Sequence, residues 1–439
     1  MKSDAPAKVA IVGGGFSGTM LAAELARRGV SSLLFEGAGR EGRGTAYSTL
    51  EPAHLLNVPA LKMSAWADDP DHFVRFVEAA GGAAKDFVER RAFGRYLRGI
   101  LHEAVASGLV EVVPARALAA RREGQCFRVE VEGGGHIAAD ALALAQGNQP
   151  PEPLRGTEEL GACFVNNPWV ADSAVAIARV AESSGDALIV GTGLTMVDMV
   201  LSLDAAGHRG RIVALSRRGQ IPRAHADHEP APVELDEVPL GNVGTLWSWL
   251  RRRSGEVGWR GSVDALRPHT HAIWKSLDAG ERRRFVRHAR PWWDVHRHRI
   301  APQVAKQIAD MVGEGRLEIV AGRIGAIRQV QGGIEVEIMR RGSASSESRT
   351  FAVGFNCTGP LGAIKRTRDP LLKQLLDDGV IAADDMVMGL AVDEGSRAGD
   401  ELWALGPLTK GAYWEIVAVP DIRGQAAAVA ADIATELEQ

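Results

Sequence analysis

Cysteine is scarce: Cys126, Cys163 and Cys357 are the only three in 439 residues, and they lie far apart with no C-x-x-C pair. That spacing excludes a redox dithiol of the disulfide-reductase kind and leaves no thiolate cluster for structural zinc. The pairs His269/His271 and His296/His298 have no carboxylate or cysteine at ligand spacing, so no metal is expected. No apolar run is long enough to cross a bilayer, and the N-terminal MKSDAPAK lacks the apolar core of a signal peptide. A cytoplasmic protein with no membrane partner is expected. Neither charge sign dominates: 51 Lys and Arg stand against 55 Asp and Glu, a net charge of -4. This balance carries no electrostatic footprint for nucleic acid. The length suffices for two or three domains with buried cores, and the oligomeric state is not legible.

What is present begins at residues 8–36, KVAIVGGGFSGTMLAAELARRGVSSLLFE. A short apolar strand runs into glycines, and a helix pattern follows over 16–28. Gly13, Gly15 and Gly18 fall at G-x-G-x-x-G spacing. The first permits the turn, the second lets a pyrophosphate approach the backbone, and the third lets helix pack on strand. The helix N-terminus, with Phe16 and Ser17 in its first turn, offers free N–H groups to that pyrophosphate. A strand over 32–35 ends at Glu36, whose carboxylate suits a ribose diol and repels a phosphate, so FAD or NAD fits better than NADP.

Residues 41–77 form a long connection rich in small and polar residues, of the kind that wraps a cofactor. Helices are expected over 69–80 and 86–107, followed by a hairpin and a buried parallel strand over 141–146 that stops at Gly147. A second fingerprint, ALIVGTGLTMVDMVLSLDAAG, starts at residue 187 with Gly191 and Gly193 in the turn and Thr195 in the first helical turn. Met196 replaces the third glycine. The following strand, over 211–215, ends at Arg217 and Arg218 instead of an acid, a pair suited to the 2′-phosphate of NADPH in preference to NADH. A strand ending near Thr358 and Gly359 repeats the first returning strand. The fold class is therefore α/β, with two Rossmann-like dinucleotide-binding domains. The expected boundaries are 1–165 with 345–439 for FAD and 185–344 for NAD(P)H, with a helical insertion at about 220–305.

That insertion concentrates tryptophan, histidine and arginine in a stretch neither nucleotide fold requires. It leaves from the edge where ligands bind, so it reads either as a cover over the substrate or as a structural subdomain. His225, His228, Asp294 and His296 are candidate acid–base residues only because such groups move protons near neutral pH.

With GTAYS at 44–48, HLLNVPALKMS at 54–64, LSRRG at 215–219, NCTGP at 356–360 and ALGPLTKGAYWE near the end, the chain resembles the FAD/NAD(P)-binding flavoproteins. Within them it resembles the N-hydroxylating and Baeyer-Villiger-type monooxygenases. The resemblance implies FAD near Asn57, Met63 and Ser64, with a C-terminal loop including Gly406 and Trp414 closing over the flavin, and NADPH at the second fingerprint. It further implies hydride transfer from NADPH to FAD and oxygenation of a small soluble substrate by O2 through a C4a-hydroperoxyflavin. A narrower likeness is to FAD-dependent urate hydroxylases. A reductase or diaphorase serving a quinone or protein acceptor, and a non-catalytic FAD-binding module, are the alternatives, because these motifs bind cofactors and do not identify substrate.

Overall fold

The apolar runs of the two fingerprints become central strands of two separate sheets. The computed structural model describes residues 8–438, so the leader expectation at residues 1–7 lies outside the described residues. The first sheet begins with β1 (Lys8–Val12), β2 (Ser31–Phe35) and β3 (Val110–Val113). A three-stranded side sheet follows, of β4 (Ala117–Glu123), β5 (Cys126–Val131) and β6 (His136–Ala139), and β7 (Ala141–Leu144) then returns to the first sheet. β1 lies in parallel between β2 and β7. Strands buried on both faces must be apolar throughout, and AIV in β1 and ALAL in β7 satisfy that.

The second sheet contains β8 (Phe164–Val165), β9 (Ala187–Val190), β10 (Ile212–Ser216), β11 (Leu317–Val330), β12 (Gly333–Arg340), β13 (Ser346–Phe351) and β14 (Val353–Asn356), in the order β13-β12-β11-β10-β9-β14-β8. β15 (Arg397–Gly399) and β16 (Leu402–Ala404) then complete the first sheet, with β16 parallel to β7. The expected boundaries at 165 and 345 are corrected by this pairing. β8 and β14 pair with each other, and β14 also pairs with β9, so 164–165 and 346–356 belong to the second sheet. β14 takes the place beside β9 that β7 takes beside β1.

Two helix starts also differ from expectation. The helix expected over 86–107 is Arg90–Ala106, because 86–89 run extended against the loop before them. Leu56 N–H donates to Val88 O at 2.8 Å, and Ala60 N–H donates to Asp86 O at 3.0 Å. The helix expected over 69–80 is His72–Ala79.

The two sheets are tied by charge as well as packing. Arg90 Nη1 lies 2.6 Å from Asp198 Oδ2 with both side chains largely buried, and His54 Nε2 lies 2.9 Å from Asp198 O and 3.0 Å from Ser202 Oγ. The insertion is helical, with helices Val243–Val257, Trp259–Ala265, Thr270–Ser276, Ala279–Arg284 and Arg290–Arg297 and a π-turn at Phe285–Ala289. It has its own apolar core around Val238, Leu250, Leu266, Ile273 and Trp293. Among the described residues, no helix is long and apolar enough to cross a membrane.

Candidate cofactor and substrate sites

The first glycine turn is conformationally demanding. Gly13 has φ +110°, and a Cβ there would meet Ala145 O at 2.6 Å, while a Cβ at Gly18 would meet Gly13 O at 2.0 Å. Helix Phe16–Arg27 therefore sits hard against its strand. No side chain caps that helix at Gly15, so its first-turn N–H groups remain without an intrahelical acceptor. Glu36 at the end of β2 is held by two backbone donors, Gly14 N–H at 3.2 Å and Ala38 N–H at 2.8 Å. Gly406, at φ +67°, leaves no room for a Cβ, which would meet Ser17 Oγ at 2.4 Å. The C-terminal loop thus docks onto the N-terminus of the first helix, and Gly13, Gly15, Phe16, Ser17, Gly18, Glu36 and Gly406 converge. These residues fit a dinucleotide: an uncapped helix end for phosphate and a fixed carboxylate for ribose.

The second turn copies the first. Gly191 has φ +115°, and a Cβ there would meet Cys357 O at 2.1 Å. Gly193 caps helix Leu194–Ala205 without a side-chain hydrogen bond and faces open space, with nothing within 4 Å of where a Cβ would stand. Met196 is fully buried in the core beneath this helix. At the end of β10, Ser216 Oγ accepts from Gly219 N–H at 3.0 Å and shapes the turn that carries Arg217 and Arg218. Arg217 is exposed and Arg218 half-buried. No ion pair involves either guanidinium among the described residues. On the returning strands, Thr358 Oγ1 donates to Asn356 Oδ1 at 2.7 Å, while Gly147 and Gly359 stand at φ +66° and +92°.

Between these turns, the insertion rests on the two loops expected around a flavin. Trp274 Nε1 donates to Gly411 O at 2.7 Å, Trp293 Nε1 donates to Glu415 Oε1 at 2.8 Å, and Trp414 stacks on Trp274 with ring centroids 4.9 Å apart. On the other loop, His225 Nε2 donates to Asn57 O at 2.7 Å. Met63 is buried nearby, and Ser64 O accepts from Arg423 Nη1 at 2.7 Å, while the Ser64 hydroxyl donates to Asp69 O inside its own loop. Ser64 therefore presents its neighbours with a backbone carbonyl, its hydroxyl being committed locally.

The four acid–base candidates separate. His225 and His228 lie on the irregular segment that enters the insertion, with His228 Nε2 3.2 Å from Asp264 Oδ2. Burial, with Arg299 adding to it, pushes the His225 pKa down to about 4, so the ring is neutral and its Nδ1 is a free acceptor. Asp294 pairs with Arg290 one turn away, and His296 binds Trp292 O within its own helix, so neither joins that group. Sequence reasoning missed Lys62, Asp264, Arg267, Arg297, Arg299 and Glu415, which meet here. They come from three distant segments, and no spacing signals them.

Residues 10–149 match the family model described as FAD-NAD(P)-binding. No curated protein matches the sequence. Among solved structures, an ornithine N-hydroxylase from Kutzneria sp. 744, solved with reduced FAD, NADP+ and L-ornithine, has a TM-score of 0.70 at 15% identity, covering 98% of this chain and 100% of that one. L-lysine 6-monooxygenase from Pseudomonas syringae has a TM-score of 0.65 at 17% identity, covering 98% and 99%. Thioredoxin reductase from Lactococcus lactis has a TM-score of 0.56 at 14% identity, covering 98% of each. The chain is thus an α/β protein with the FAD/NAD(P)-binding fold, shared along nearly its whole length with an ornithine hydroxylase, a lysine monooxygenase and a thioredoxin reductase.

Proposed function

We propose that the protein is an NADPH-dependent FAD monooxygenase acting on a small soluble metabolite. The observation that carries this reading is the contrast between two otherwise matching turns. One is followed by a fixed carboxylate, Glu36, and the other by two guanidiniums without ion-pair partners, Arg217 and Arg218. The first suits FAD and the second NADPH. Gly13, Gly15, Phe16, Ser17, Gly18, Glu36 and Gly406 would hold the flavin nucleotide, with Asn57, Met63 and the carbonyl of Ser64 lining the approach to it. Gly191, Gly193, Thr195, Arg217 and Arg218 would hold NADPH, with Thr358 and Gly359 at the neighbouring strand end.

Bound in this way, FAD supplies acceptance of a hydride and activation of dioxygen. The chain's own part is to position and to exclude water. The insertion closes over loops 54–64 and 406–415 through Trp274, Trp293 and His225, which supports an oxygenase, since such chemistry requires a dry site. The neutral His225 offers its Nδ1 as a hydrogen-bond acceptor rather than as a base, since its pKa lies well below neutrality. The cysteines do not support dithiol exchange: burial pushes the Cys357 thiol far up and raises Cys126, so neither supplies a thiolate.

The test is to follow NADPH oxidation, oxygen uptake and hydrogen peroxide across a panel of small nitrogenous and aromatic metabolites, urate included. Substrate-dependent oxidation with an oxygenated product is expected. Rapid NADPH oxidation with a quinone, and no oxygenated product from any compound, would establish the reductase reading instead.

A further inference from the structure

The interface between loop 54–64, the insertion and the C-terminal segment buries more positive charge than its carboxylates neutralise. Arg299 is 3% exposed and Arg297 9%. Arg299 donates Nη2 to Asp264 Oδ1, but its buried Nε and Nη1 have no hydrogen-bond partner among the described residues. Arg297 Nε stands 3.0 Å from Glu415 Oε2 outside hydrogen-bonding geometry, and its Nη2 is equally unpartnered. Arg267 stands 3.9 Å from Asp421, and Arg260, beside Arg299, donates Nη2 to Ala224 O at 2.9 Å. Lys62 stands exposed at the rim, and among the described residues no carboxylate is in ion-pair range of it.

Five cations therefore face three carboxylates, Asp264, Glu415 and Asp421, of which Glu415 Oε2 and Asp421 Oδ2 also lack a hydrogen-bond partner among the described residues. Asp294, next to Glu415, is matched by Arg290, and His298 stands 4.0 Å from Glu415 Oε1. Two of the three carboxylates are already engaged by neutral or weakly basic donors: Glu415 by Trp293, and Asp264 by His228. Partial burial is the largest cause lowering the pKa of Lys62, Arg267 and Arg299. Asp264 raises all three, Asp421 and Glu415 also raise Arg267, and Arg297 lowers all three, so the carboxylates offset the loss of water only in part. Arginine stays charged nonetheless. Water can satisfy an N–H group but not the excess charge, and a planar oxyanion satisfies both, because a guanidinium fork matches carboxylate geometry.

We propose that this cluster binds the carboxylate of a small-molecule substrate, with Arg297 and Arg299 as the buried anchor and Lys62 closing the open rim. The inference rests on the reading of the insertion as a substrate cover, and it names the substrate class: a small organic carboxylate.

The experiment titrates the full-length, FAD-loaded protein with benzoate and with hexanoate, each against its uncharged amide, at constant ionic strength. Inorganic phosphate serves as the tetrahedral anion. Melting temperature and flavin absorbance are read without turnover. The carboxylates are expected to raise the melting temperature and perturb the flavin spectrum, and the amides and phosphate to do neither. Arg299→Gln should weaken carboxylate binding at least tenfold at unchanged FAD content. Lys62→Gln, at an exposed site where folding is not at stake, should weaken it severalfold. The proposal is overturned if no carboxylate acts on the wild type, if phosphate acts as well as the carboxylates do, or if the response survives unchanged in Lys62→Gln and in folded Arg299→Gln. Because binding is read without NADPH, absence of an oxygenated product in the turnover panel would refute the oxygenase reading alone.

Discussion

Replacing Gly193 by leucine separates the fold from the function of the second turn. The backbone there is extended, at φ −87° and ψ −161°, a conformation any residue adopts, and a Cβ would meet nothing within 4 Å. The substitution should not strain the chain, and by restricting the unfolded state it should stabilise the fold by about 0.4–1 kcal/mol. The nucleotide is affected differently, since a branched side chain stands where a pyrophosphate must reach the uncapped helix end. Loss of one charge-assisted hydrogen bond, about 1.5–3 kcal/mol, together with the helix-end attraction of about 0.3–1 kcal/mol, comes to roughly 2–4 kcal/mol. NADPH affinity should therefore fall on the order of 30-fold to several hundred-fold. Anaerobic stopped-flow bleaching of the flavin at rising NADPH gives the half-saturating concentration, with FAD content and melting temperature measured in parallel. Gly15→Leu, at the equivalent position of the first turn, should lose FAD instead, since its Cβ would lie 3.5 Å from Gly44 Cα and fill that approach. An unaltered NADPH half-saturation in folded, yellow Gly193→Leu protein would refute the assignment of the second site.

Arg217→Ala and Arg218→Ala should each lower the preference for NADPH over NADH about tenfold or more, since each removes a charge-assisted contact of about 1.5–3 kcal/mol, while NADH kinetics stay level; unchanged cofactor ratios in both variants would count against the 2′-phosphate reading. Trp293 is 6% exposed and bonded to Glu415, whereas Trp292 is 42% exposed. Trp293→Ala should cost about 3–5 kcal/mol in chemical denaturation and lower the product formed per NADPH consumed, and Trp292→Ala should do neither; intact coupling in folded Trp293→Ala would dismiss the cover. His225 has a folded-state pKa of about 4 against an ordinary 6.5, so the unfolded chain takes up a proton first as pH falls. Stability should decline from pH 6.5 to 4, and His225→Gln should show a shallower decline in its denaturation midpoint over that window; equal slopes would mean the ring is not held neutral.

The residue sequence was sufficient for whatever depends on neighbours within one turn of chain. Gly13 and Gly191 announce positive φ, the apolar runs announce strands buried on both faces, and Glu36 against Arg217 and Arg218 announces opposite charge at two strand ends. Each is written within some thirty residues, so local stereochemistry and charge decide it. Residues 346–356 join the second sheet although nothing local says so, because a short strand carries no mark of the sheet it joins; the pairing of β13 with β12 and of β14 with β9 decides it. Trp292 and Trp293 are indistinguishable in sequence, and helix rotation alone sends one to solvent and the other to Glu415. Lys62, Asp264, Arg267, Arg297, Arg299 and Glu415 each look like ordinary surface charges in a chain whose overall charge is nearly balanced. Tertiary packing brings them together across more than 350 residues and withdraws Arg297, Arg299 and Glu415 from water, with Lys62 left at the rim. An imbalance that solvent would have screened thereby becomes a site.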